Sequence, residues 1–476
     1  MAKWLPLLLL LLAPGVASAQ AIVAPDLAAA LADLPSGETL GIGVVLETPE
    51  ALPAPGEARR AAVSDLQDAV LARLPAGAFA TTRRYASIAG LAGRADAAGV
   101  AALAADPGVA RITLDGRVFA QLQQGRALIG ANAVHGEGLV GAGVTVVVVD
   151  TGIDSDHPDL ADDLVDEHCF CAGLLSGCCP DGTSEDESAE DDQGHGTAVA
   201  GIVSSAGVQA PLGVAPGADL VAVKALGSSG SGNFSDTAAA LDWVLTNHAG
   251  GGPLVVNMSL GDGEEYASSA EGSCSASNTA NAIAALHAAG VAVFVASGNE
   301  GHDAGISFPA CVAEAISVGG VYDDWVGTVS WCGEIPLCLP PYLCTDDSAL
   351  ADTFVCHSNS GPNLDLLAPD FRTATSALGG GVEDAFGGTS AAAPYAAAEA
   401  ALLLEADPTL TPEQIRALLT SHGPLVTNAD NGMSYPRSDV ALAVEALPEP
   451  AGVPARLLAA ALVAALARAR RRVESA

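Results

Sequence analysis

Three observations in this 476-residue chain predict an α/β fold, a parallel sheet with helices on both faces. Short, continuously apolar runs recur at 146–149, 220–223, 254–256 and 291–295, as expected of strands buried on both sides. Helix-like runs at 195–204, 235–248 and 279–289 fall between them, and such alternation argues for parallel strands joined by helical crossovers. Half of the residues are hydrophobic but only 4% are aromatic, so Ala and Gly supply much of the bulk and favour close helix–sheet packing.

The elements follow in order. Lys3, the apolar run Leu7 to Leu12 and the small-x-small site Ala17-Ser18-Ala19 read as a secretory signal peptide over 1–19. Its apolar core is far too short to span a bilayer. Residues 20–118 read as a separate unit. A strand at Gly41–Leu46, amphipathic stretches at Ala61–Leu74 and Ala95–Ala105, a strand-like middle at Thr81–Leu91 and a closing strand to Asp115 give β-α-β-α-β. With the middle strand also legible as a hairpin, this is a small α+β unit of the ferredoxin-like type. The main domain spans 119–447. Active groups of such sheets cluster at the carboxyl ends of the strands, where Asp150 follows Val146–Val149. A tail, 448–476, carries Pro448-Glu449-Pro450, the apolar run Leu457 to Ala467 and the basic end Arg468, Arg470, Arg471 and Arg472.

A net charge of −37 excludes a nucleic-acid binder, because phosphate would be repelled. The acidity serves solubility, and acid-rich loops could also hold structural Ca²⁺. Export places the ten cysteines in an oxidising compartment. Cys169, Cys171, Cys178 and Cys179 form one group, and Cys332, Cys338, Cys344 and Cys356 another. Cys169-x-Cys171 and the adjacent Cys178-Cys179 do not have the spacing of zinc ligands, and an even number of cysteines confined to the main domain fits disulfides. Cys274 with Cys311 is the leading pair; spacing leaves the connectivity of the rest open.

The chemistry sits in three short segments. Ser390 lies in Gly388-Thr389-Ser390-Ala391-Ala392-Ala393-Pro394, His195 in Gly194-His195-Gly196-Thr197, and Asp150 precedes Thr151-Gly152. A serine hydroxyl is a weak nucleophile until a histidine takes its proton and a carboxylate orients that histidine. The chain order Asp…His…Ser differs from the orders of chymotrypsin and of the α/β-hydrolases. A helix opening at the serine would aim its positive end at an oxyanion, with Pro394 expected in its first turn.

All three contexts resemble the subtilisin-like serine proteases, the subtilase or peptidase S8 family. The family usually has Met-Ala-Ser where this chain has Ala391-Ala392-Ala393, a change at packing positions. The resemblance implies a subtilisin-like three-layer fold. It also implies an endopeptidase acting on proteins or peptides through an acyl-enzyme, with no cofactor needed for the chemistry. Asn299, in Ser297-Gly298-Asn299-Glu300, resembles the family's oxyanion asparagine. Ser259-Leu260-Gly261 and Gly230-Ser231-Gly232 resemble the two edges that pair with an extended substrate. The primary pocket is expected between 259–261 and 296–298, with Gly298 on its wall. Small residues on both walls suit a sizeable apolar side chain, and no carboxylate is expected in it, although Asp262 and Glu300 are close by. Asp154 and Asp156 are expected to be surface or ion-binding carboxylates. The acid-rich stretch Asp181–Asp192 and the loop 332–356 are candidates for the cleft rim or for Ca²⁺.

Residues 20–118, ending through Asp106-Pro107-Gly108-Val109, resemble the inhibitor-type propeptide of subtilases. That implies a zymogen cleaved by itself near residue 120. The tail resembles the PEP-CTERM sorting signal, implying contact with membrane sorting machinery and a secreted or cell-surface protein of a Gram-negative bacterium. Two rivals are weighed. A sedolisin would pair its serine with a glutamate, against the Gly-His-Gly-Thr motif. A non-catalytic binding protein on a subtilase scaffold would lack a triad member, and none is missing.

Overall fold

The computed structural model describes residues 21–32, 34–35, 38–48, 52–53, 57–114, 123–172, 177–331 and 343–447. The expected signal peptide, the processing region near 120, Cys332, Cys338 and the sorting tail lie outside the described residues. The chain divides into two compact units, Met1–Val118 and Phe119–Ala476.

In the first unit the elements are β1 (Ile22–Val23), α1 (Pro25–Ala32), β2 (Leu40–Leu46), α2 (Glu57–Leu71), β3 (Ala80–Arg84), β4 (Gly90–Ala95), α3 (Ala97–Ala104) and β5 (Val109–Leu114). They build a five-stranded sheet in the order β1-β5-β2-β4-β3. The middle strand of the sequence reading is a hairpin, β3–β4, paired antiparallel. The two-residue β1, parallel to β5, is too short to leave a periodic signal. Ile42, Val44, Leu91, Val100, Leu103 and Ile112 form the core. Asp96 caps α3 by accepting the Gly99 N–H at 2.8 Å.

The second unit is built on β6 (Thr145–Asp150), β7 (Leu164–Phe170), β8 (Glu185–Asp186), β9 (Asp219–Lys224), β10 (Leu254–Met258), β11 (Ala292–Ala296), β12 (Ile316–Val321) and β13 (Leu366–Pro369). Their order is β13-β12-β11-β10-β6-β9-β7-β8. Every pairing is parallel except that of β8 with β7. Alternating side chains divide the core. Val146 and Val148 face α4 (His195–Ser204) and α7 (Thr389–Ala406), whereas Val147 and Val149 face α5 (Phe234–Asn247) and α6 (Asn278–Ala288). This is the three-layer α/β fold, and the apolar runs of the sequence are its central strands. The alanines of α7 from Ala391 to Ala401 are buried, so this helix lies close against the sheet.

Hairpins at 327–331/344–349, 373–377/381–386 and 425–427/434–436 decorate the sheet. Disulfides join Cys169 to Cys179, Cys171 to Cys178, Cys274 to Cys311 and Cys344 to Cys356. The expected Cys274–Cys311 pair is present, and the nested pairs around 169–179 leave no thiolate there for zinc.

Candidate active site

Asp150 is the last residue of β6, and its carbonyl accepts the N–H groups of Ala225 and Leu226. Its carboxylate is fully buried, so its charge needs compensation. Oδ1 accepts the Thr151 N–H at 2.7 Å and the His195 Nδ1–H at 2.8 Å. His195 opens α4. The turn before it is held by buried Asp191, which accepts the N–H groups of Gln193, Gly194 and Thr197 and the Thr197 hydroxyl. Gly196 is required by close approach: a Cβ there would lie 2.1 Å from the Gly152 carbonyl oxygen.

The imidazole is 26% exposed and packs edge-on against Phe386. With Nδ1 donating to Asp150, the neutral ring presents Nε2 as an acceptor. Burial pushes the His195 pKa down, but the charge and hydrogen bond of Asp150, with Asp191 behind them, hold it above the ordinary imidazole value.

Ser390 is the second residue of α7, so its N–H lies outside the helical ladder. Pro394 is the sixth residue of α7, beyond the first turn, since α7 opens at Thr389, one residue before the serine. Having no N–H, Pro394 cannot donate to the carbonyl four residues earlier, that of Ser390. The Ser259 hydroxyl donates to that carbonyl instead, at 2.9 Å. The Ser390 hydroxyl donates to the Ser259 carbonyl at 3.5 Å and not to His195, a looseness common in unliganded serine sites.

Asn299 follows β11. Its Oδ1 accepts the Thr389 N–H at 2.8 Å and the Thr389 hydroxyl at 3.0 Å. A backbone N–H can only donate, so the amide orientation is fixed and Nδ2 is the free end. A cavity of about 490 Å³ is lined by His195, Ser390, Asn299, Gly298, Gly230–Gly232 and Ser259–Gly261. Asp150 lies behind His195, out of the lining. Every residue singled out from the sequence as catalytic or substrate-facing is thus in this cleft or bonded to one that is.

Other expectations change. Asp262 and Glu300 both line the cavity, yet both are engaged: Asp262 accepts from Phe308, Glu264 and Tyr266, and Glu300 from Asn299 and Asn359. Asp154 is not a surface group; it is buried, and its Oδ2 accepts the N–H groups of Gly379 and Gly380 in the 373–386 hairpin. The described part of loop 332–356 does not line the cleft; it packs through Ala349 and Val355 around Tyr322. No three carboxylate, imidazole or thiol groups converge as a metal site among the described residues. Sequence reasoning missed Thr389 as the Asn299 anchor and Phe386 as the His195 neighbour, both long-range contacts. The donor that Pro394 withholds was legible in principle, by asking which group takes its place.

A sheet with helices on both faces and a histidine, carboxylate and serine at its carboxyl end defines a serine-hydrolase type of protein. The model of the subtilase family (peptidase S8) matches residues 141–436. Subtilisin E of Bacillus subtilis (strain 168) is 33% identical over 334 residues, 68% of this chain and 72% of that protein. An alkaline protease of Shouchella clausii is 34% identical over 318 residues, 65% of this chain and 68% of that protein. A solved protease of Pseudoalteromonas arctica superposes with a TM-score of 0.53 at 26% identity, covering 67% of this chain and 94% of that one. The chain belongs to the subtilase family and is a subtilisin-like serine endopeptidase.

Proposed function

We propose that Asp150, His195 and Ser390 are the catalytic triad, with Asn299 Nδ2 and the Ser390 N–H as the oxyanion hole. His195 Nε2 takes the Ser390 proton as Oγ attacks the scissile carbonyl carbon. Negative charge on the carbonyl oxygen is met by the two donors, which are already oriented. Collapse breaks the C–N bond; His195 returns the proton to the leaving amine, and Ser390 keeps the acyl group. Water then attacks the ester, with His195 as base, and frees acid and serine. Asp150 keeps the proton on Nδ1 and stabilises the imidazolium. The substrate backbone would extend between Gly230–Gly232 and Ser259–Gly261.

The observation that carries this reading is the 2.8 Å Asp150–His195 bond on an imidazole opening into the cleft that holds Ser390 and the free end of Asn299. We extend it to a zymogen. Residues 20–118 act as an inhibitor-type propeptide, removed by the enzyme itself near residue 120 after export on the signal peptide. The tail acts as a PEP-CTERM-like sorting signal to the surface of a Gram-negative bacterium.

The test is intact-mass analysis of wild type and Ser390→Ala together with fluorophosphonate labelling. A labelled wild type of mature mass beside an unlabelled, unprocessed mutant is the expected result. A mutant that matures unaided would overturn self-processing. An unlabelled, unprocessed wild type would mean a latent zymogen or a binding protein on this scaffold.

A further inference from the structure

Lys224 ends β9, opposite Asp150 in the parallel register, and its side chain is 1% exposed. An ammonium taken out of water is costly unless other acceptors replace its hydration. Two do so: the Thr151 carbonyl at 2.6 Å and the Asp192 carboxylate at 2.7 Å. Thr151 directly follows Asp150, and Asp192 lies in the turn that leads into His195. The two acceptors therefore belong to the two turns whose separation sets the Asp150–His195 bond. Those turns are also joined by the Gly196 N–H to the Thr151 hydroxyl at 2.8 Å, the Asp191 N–H to the Ile153 carbonyl at 3.2 Å and the Asp154 N–H to the Thr197 hydroxyl at 3.0 Å. Lys224 does not line the cleft. For stability alone an apolar side chain would serve as well or better, since it carries no desolvation cost.

We propose that Lys224 is a positioning residue, a buried clamp that holds the Asp150 turn against the His195 turn during proton transfer. The inference rests on the proposed roles of Asp150 and His195. Lys224→Met keeps the apolar stem, and the half-exposed Asp192 left behind can be solvated by water. Wild type and variant are expressed as the full chain and, after maturation, compared by fluorophosphonate labelling rate, and by kcat and KM per titrated site. A small displacement of reacting groups costs about 10²-fold in rate. The expected result is a loss of that order in labelling and kcat with KM unchanged, partly restored in Lys224→Arg.

Wild-type kcat in Lys224→Met, with only a lower melting temperature, would overturn the clamp and leave the triad standing. Should Lys224→Met not fold, Asp192→Ala carries the same test: a smaller loss in kcat supports the clamp, and wild-type kcat overturns it. A wild type that reaches the mature mass and does not label would overturn the triad, and the clamp with it.

Discussion

The pairs His195–Asp150 and His357–Asp370 share a chemistry but not an environment. In each, an imidazole nitrogen lies close to a fully buried carboxylate, at 2.8 Å and 3.1 Å respectively, but only the first contact is a hydrogen bond. His195 is 26% exposed and its second nitrogen faces the cleft that contains Ser390. His357 is 3% exposed, sealed beneath Trp331, whose ring centroid lies 3.9 Å away. Trp331 comes from the 327–331 strand and is pinned through the Tyr322 hydroxyl to Asp346. Asp370 serves the site through its backbone, whose carbonyl accepts the Gly388 N–H just ahead of Ser390. A histidine–aspartate pair is thus not a base by composition. What distinguishes the first is a second nitrogen open to a cleft and a hydroxyl within that cleft.

The largest effect should come from the open pair. Asp150→Asn preserves shape but stabilises the wrong imidazole tautomer, and kcat should fall by about 10⁴-fold. A loss under tenfold would mean that the open pair is no more catalytic than the sealed one. Next, Asn299→Ala removes one donor from the developing oxyanion, and about 10²–10³-fold in kcat should go with it, a magnitude known from subtilisin. If only KM rose, the free Nδ2 would be a substrate contact and not an oxyanion donor.

A subtler signature lies in the pH profile. Asp150 and Asp191 hold the His195 pKa up against the opposing effect of burial. On the proposed mechanism His195 must be neutral to take the Ser390 proton, so kcat/KM should climb as pH rises through that raised value. Its acid limb should lie above about 6.5, the ordinary imidazole pKa. A limb at or below that value would mean that burial wins over the two carboxylates.

How much of this was legible depended on range. The apolar strands and the helix opening at His195 were readable because each is a local pattern of period or flank, and observed ends fall within a few residues of the expected ones. Asp150, His195 and Ser390 were readable because each lies in a short motif, and parallel α/β topology brings strand ends together. The start of α7 lies one residue before the expected serine, where Asn299, distant in sequence, takes the Thr389 N–H. The sealed pair left no sign at all. Nothing in Cys356-His357-Ser358 or Pro369-Asp370-Phe371 says that Gly320 leaves room for the Asp370 carboxylate. Lys224 was readable in part, as a charge ending an apolar strand whose carboxyl end faces the site.

The smallest catalytic effect is expected at the sealed pair, and it is the sharpest control. Asp370→Asn keeps the side-chain volume and the backbone carbonyl that accepts the Gly388 N–H, so the turn ahead of Ser390 should stay in place. It turns one carboxylate oxygen facing His357 into an amide nitrogen, at a place where neither Asp370 carboxylate oxygen nor His357 ring nitrogen has a hydrogen-bond partner among the described residues. Any effect on stability should appear as a shift of the denaturant midpoint with an unchanged slope. Per titrated site, kcat and the acid limb of the pH profile should match wild type. A kcat loss approaching that of Asp150→Asn would place the second pair in the machinery, because a brace acting through its backbone does not depend on the side-chain charge.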